Sequence, residues 1–200
     1  MRDRARADGS AHVPVPSGIR LAAASASGNR QNTRMSIVLL TGGPGAGKST
    51  IARAVAPLRR RCAVIEVDDV RQMLVQPHAA PWDGSEGLRQ QKLGVWNAAR
   101  LAIGFADDGE DVVIADVLDN EIAALYRRSL SEHDVQIVHL RVSEALARDR
   151  AAGRHYSLTD EQMRALHMAQ PDFVDYDRQL DTSVMSVSDA ALQVCEILDK

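Results

Sequence analysis

A chain of 200 residues with 45% hydrophobic and 26% charged side chains has the size and composition of one globular domain that buries its own core. No run is long and apolar enough to span a bilayer, and Cys62 and Cys195 stand far apart without a C-x-x-C pattern, which argues against a disulfide scaffold and a zinc site and for thiols in a reducing cytoplasm. The net charge of −3 is uneven: residues 1–34 hold six arginines against two aspartates, +4, leaving −7 for the rest, a poor general binder of nucleic-acid backbones.

Residues 1–34 are rich in Ala, Ser, Gly, Arg and Pro and carry no steady apolar periodicity, so an extension without fixed structure is expected there. Its apolar stretch is too weak for a signal peptide. The folded domain is expected over 35–200.

Four apolar strand-formers at 37–40 lead into Thr41-Gly42-Gly43-Pro44-Gly45-Ala46-Gly47-Lys48-Ser49-Thr50, which satisfies the Walker A pattern G-x-x-x-x-G-K-[ST]. Glycines at 42, 43, 45 and 47 let the backbone approach a polyphosphate, and a helix opening near Lys48 adds its unpaired N–H groups and the positive end of its dipole. Lys48 is placed to reach the β- and γ-phosphates, and Ser49 to ligate Mg²⁺. Gly42 through Thr50 are therefore the expected nucleotide contacts.

The rest alternates strand and helix. A helix to residue 56 stops at Pro57; a second strand covers 63–67 and ends at Asp68 and Asp69, where a second helix opens. A Pro- and Gly-bearing loop at 77–84 holds Trp82. Leu88, Leu93, Trp96, Ala99 and Ile103 recur at helical spacing, which predicts a helix over 85–106 with Trp96 facing the core. A third strand, 112–118, carries Asp116 near its end, and a helix follows over 121–128. After a fourth strand at 135–142, Ser143 caps an arginine-rich helix reaching about residue 153. Another helix opens near Ser157 or Thr159, a short fifth strand is expected at 182–185, and Ser186 with Asp189 opens the last helix. Alternation of this kind predicts an α/β fold, a five-stranded parallel sheet with helices on both faces and ligands at the carboxyl ends of the strands.

Three acids and three arginines are the chemical candidates beyond the loop. Asp68, at the end of the second strand, is placed to take a proton from an attacking hydroxyl, and Asp69 lies beside it as a substrate contact. Asp116 has the position of a Walker-B-type acid holding Mg²⁺ through water, or of a substrate contact. Arg150 and Arg154, one helical turn apart, with Arg148 nearby, suit a lid that closes over the moving phosphoryl group. Trp82 is a candidate platform for the substrate, and His155 a weaker phosphate contact.

Residues 36–198 resemble the small P-loop kinases and look most like the chloramphenicol phosphotransferase group, with zeta toxins as more distant relatives. The loop 42–50, Val67-Asp68, residues 112–117, Arg150 with Arg154, and Tyr176-Asp177 leading to Asp181-Thr182 carry that resemblance. It implies a catalytic base at Asp68, ATP or GTP with Mg²⁺ at Lys48 and Ser49, and Thr182 near the nucleotide base. Gly43-Pro44-Gly45-Ala46 departs from the Ser-rich loop of the antibiotic kinases, and 74–95 has no clear counterpart. The expected reaction is transfer of the γ-phosphoryl group from the nucleotide to a hydroxyl of an antibiotic or nucleoside-like metabolite. The alternatives are a nucleotide-hydrolysing regulatory module, which lacks its D-x-x-G and N-K-x-D motifs here, a zeta-toxin-like kinase, and a kinase of nucleic-acid ends.

Overall fold

The computed structural model describes residues 36–151 and 159–200; residues 1–34, Arg154 and His155 lie outside them. Five strands, β1 (Ser36–Thr41), β2 (Cys62–Glu66), β3 (Asp111–Ala115), β4 (Asp134–Arg141) and β5 (Arg178–Asp181), form one sheet in the order β2-β3-β1-β4-β5, with every neighbouring pair parallel. Helices α1 (Lys48–Val55), α2 (Val67–Gln72), α3 (Gly84–Asp107), α4 (Asn120–Ser129), α5 (Glu144–Ala151), α6 (Asp160–Ala169) and α7 (Val187–Leu198) connect and cover it. Among these helices none is long and apolar enough to cross a membrane.

Side chains alternate across a strand, and both faces of this sheet are covered, so β1 reads as an unbroken apolar run. Ile37 and Leu39 enter a core with α2, α3 and α4, whereas Val38 and Leu40 enter a second core with α1 and α7. Helix propagation fails at Pro57, where α1 gives way to a single 3₁₀ turn, Ala56–Leu58. The Thr159 hydroxyl and the Gln162 side chain form a capping box that starts α6, and Ser186 caps α7 by accepting from Asp189 N.

Two expectations are corrected. The fifth strand is Arg178–Asp181 rather than 182–185. It lies at the sheet edge and is mostly exposed, so it needs no apolar run, and Thr182 falls in the loop that follows. On α3 the inward face is made of small residues, Gly87, Gly94, Ala98, Ala99, Ala102 and Ala106, joined by Gln90 and Val95. Trp96 is 43% exposed and Leu88 52% exposed, instead of packing into the core. Small side chains at the contact bring the helix axis close to its neighbours, leaving no room there for an indole.

Candidate active site

The phosphate loop is held in a shape that only glycine adopts at two decisive places. Gly42 has φ 145° and lies against the Leu140 carbonyl of β4; Gly45 has φ 79°, and a side chain there would come within 2.7 Å of the Ala147 carbonyl in α5. The loop thus sits pressed between the sheet and α5 at the start of α1, with the Ala46 N–H closing a turn on the Gly43 carbonyl at 3.1 Å. Lys48 folds back over this loop, its Nζ donating to the carbonyls of Gly42 at 2.8 Å and Gly43 at 3.3 Å. Burial lowers its pKa to about 8, against the pull of Asp68, Asp116 and Glu66, the nearby carboxylates. Ser49 Oγ donates to Glu66 Oε2 at 2.8 Å.

Asp68 lies in the first turn of α2 rather than at the end of a strand, because β2 closes one residue earlier than expected and Val67 is already helical. Its side chain is 80% exposed and accepts from Arg71 Nη1 at 3.0 Å. The same guanidinium donates through Nη2 to Asp116 Oδ1 at 2.8 Å. Asp116 is buried just past β3, which ends at Ala115 rather than at 118, and there its Oδ1 also accepts from Val117 N and its Oδ2 from the Tyr126 hydroxyl at 2.9 Å. Burial pushes the Asp116 carboxyl above the usual carboxylate range, while Arg71 and Tyr126 draw it back. A chain Tyr126–Asp116–Arg71–Asp68 therefore runs from the core to the exposed acid. Both oxygens of Asp116 are engaged by protein, so the acid that faces Ser49 is Glu66. Asp69 is exposed on the outer side of the same turn.

Arg150 reaches back to the loop from α5. Its Nη2 donates to the Thr182 carbonyl at 2.8 Å, and its Nη1 to the Gly45 carbonyl and Thr182 Oγ1, each at 3.3 Å. The buried Thr182 hydroxyl lies 3.0 Å from both the Ala46 and Arg141 carbonyls. These two residues border a cavity of about 190 Å³ with Gly47, Ile51 and Met185. Of the other candidates, Arg148 pairs with Glu144 at 2.6 Å on an exposed helix face. Trp82 is 48% exposed in the turn that precedes α3.

The model of the family described as chloramphenicol phosphotransferase-like protein matches residues 35–199. The chain belongs to that family. Its fold is also that of solved P-loop kinases. The Mycobacterium tuberculosis APS kinase CysC, in complex with AMPPNP and APS, superposes with a TM-score of 0.64 at 20% identity, over 84% of this chain and 99% of that one. For shikimate kinase from Acinetobacter baumannii in complex with shikimate the values are 0.58, 19%, 83% and 93%. For the Deinococcus radiodurans tunicamycin resistance protein they are 0.62, 14%, 82% and 96%. No curated protein sequence matches significantly.

In this family member three residues matter that no sequence pattern singles out. Glu66 stands inside an apolar run and reads as a strand residue; only the register of β2 against β3 sets it beside Ser49. Arg71 and Tyr126 are bound to the acids by side-chain geometry alone. The available signal for Arg71 is its spacing of three from Asp68 on a helix. The Tyr176-Asp177 pair, which carries part of the resemblance, serves the architecture, since Asp177 Oδ2 accepts from Ile137 N of β4 at 2.7 Å and from Arg127.

Proposed function

We propose that this family member is an ATP- or GTP-dependent kinase that transfers the γ-phosphoryl group to a hydroxyl of a small molecule, an antibiotic or nucleoside-like metabolite, with Asp68 as general base. The observation that carries the reading is Asp68 itself: an exposed carboxylate, held in place by Arg71, whose charge is among those acting on Lys48. A base needs access to its substrate and a fixed position, and Asp68 has both. Lys48 has only loop carbonyls to leave when a polyphosphate arrives, and it then neutralises the charge that builds on the transferring group. Arg150 and Thr182 border the cavity proposed for the nucleotide base, and the lid role of Arg154 is part of the same proposal.

Magnesium fits the residues at the loop. Ser49 supplies a hydroxyl, and Glu66 Oε1 is buried without a hydrogen-bond donor, its nearest charge the largely exposed Arg53 at 3.5 Å. Ser49 and Glu66 would hold the ion, Glu66 in place of Asp116, and when bound it supplies charge neutralisation between the phosphates.

Asp68→Asn is expected to slow transfer by at least about 10²-fold, followed as phosphorylated acceptor by mass spectrometry, while nucleotide affinity stays within about twofold. Near-normal turnover removes Asp68 from the mechanism. Hydrolysis or exchange with no phosphorylated acceptor would favour a regulatory module, and labelled oligonucleotide ends an end kinase.

A further inference from the structure

Between α2 and α3 lies a cavity of about 460 Å³, within the range of small-molecule pockets, roughly 300–1,000 Å³. Val70, Leu74, Leu93 and Leu101 give it an apolar lining, interrupted by Arg71 and Arg100. The two cations differ in what they leave free. Arg71 uses both Nη atoms on Asp68 and Asp116, yet its buried Nε has no hydrogen-bond acceptor. Arg100, exposed at the rim, donates only to Asn97 at 3.3 Å, and among the described residues no carboxylate pairs with it. Native proteins rarely leave a buried donor unpaired without a reason. Gly94 makes room for this arrangement: a side chain there would approach Arg71 Cγ to 2.7 Å and Nε to 3.2 Å.

We propose that this cavity takes the acceptor and selects small hydroxy acids, the apolar body lying among the leucines, the carboxylate toward the exposed Arg100, and the hydroxyl directed past Arg71 to Asp68, which adjoins the cavity through its bond to that arginine. The proposal rests on the kinase reading above and sharpens it to one substrate class. Arg71 joins the two halves of the site, since it lines the cavity and holds the base at 3.0 Å. A carboxylate meeting a guanidinium in a largely apolar slot makes a charge-assisted hydrogen bond, which a neutral amide cannot match.

The probes are indole-3-lactate and its carboxamide, alike in size and hydroxyl. Binding is measured by calorimetry to the full chain loaded with a non-hydrolysable ATP analogue, and transfer by mass spectrometry with ATP. The acid is expected to bind about tenfold or more tighter than the amide, and Arg100→Gln to shrink that preference to under about twofold. Failure of both probes to bind, equal affinities in the wild type, or a preference that survives Arg100→Gln overturns the proposal. If the amide is phosphorylated as well as the acid, and Asp68→Asn abolishes both products, the kinase reading stands and the acid selectivity falls. If the acid binds with the expected Arg100 dependence but neither probe is ever phosphorylated, the anion pocket is supported and its place in transfer is overturned.

Discussion

The two sides of this site are built differently. On the nucleotide side the chain closes on itself: Lys48 caps loop carbonyls, Arg150 and Thr182 tie the loop to β4 and to the segment after β5, and glycines permit the contact. On the α2–α3 side the structure stays open, with an exposed acid, an unpaired guanidinium nitrogen and an apolar cavity. A nucleotide's polyphosphate is a feature that P-loop kinases share, and its cradle is set by backbone geometry. An acceptor differs from enzyme to enzyme, and its pocket depends on side chains brought together from two helices.

The comparison is broken most severely at the joint between the two sides. Asp116→Ala removes the buried partner of Arg71 and of Tyr126, and is expected to cost about 3 kcal/mol of stability in a urea titration. An unchanged midpoint would mean that the chain Tyr126–Asp116–Arg71–Asp68 does not support the acceptor side.

A smaller effect is expected at Lys48. Its pKa in the folded protein is about 8 against 10.5 as the ordinary value, so between these pH values the unfolded chain keeps a proton that the folded one has released. Stability from this residue therefore rises with pH across that window, the opposite of what an ion-paired lysine gives. Bound polyphosphate would return the proton. Calorimetry at pH 9 in buffers of different ionisation enthalpy is expected to detect uptake approaching one proton per nucleotide, with none at pH 6.5 and none in Lys48→Met. Equal uptake in the variant would assign the proton elsewhere.

The smallest change sharpens the nucleotide side alone. Thr182→Val keeps the shape but leaves the Ala46 and Arg141 carbonyls without this donor, at a cost of about 1 kcal/mol. Nucleotide affinity is expected to weaken with it, whereas binding of hydroxy acids between α2 and α3 is not.

What can be read in the chain follows the same division. The loop 42–50 is legible because local backbone requirements write themselves as glycines at fixed spacing, and β1 because a strand covered on both faces is apolar throughout. Pattern alone misplaces the edge strand, since Arg178–Asp181 gains its hydrogen bonds from β4 and carries no apolar pattern of its own. Trp96 is misplaced for another reason: periodicity counts large apolar residues, and α3 packs instead through glycine and alanine.

By itself the sequence determined the parallel α/β architecture and the glycine-rich loop 42–50 at the head of α1, both consequences of patterns spanning a few neighbouring residues. Only the tertiary structure decided that Glu66 faces Ser49, that Asp116 is spent on Arg71 and Tyr126, and that two arginines line an apolar cavity. Those pairings join residues from separate strands and helices, and their distances exist only once the sheet order and the close approach of α3 are set.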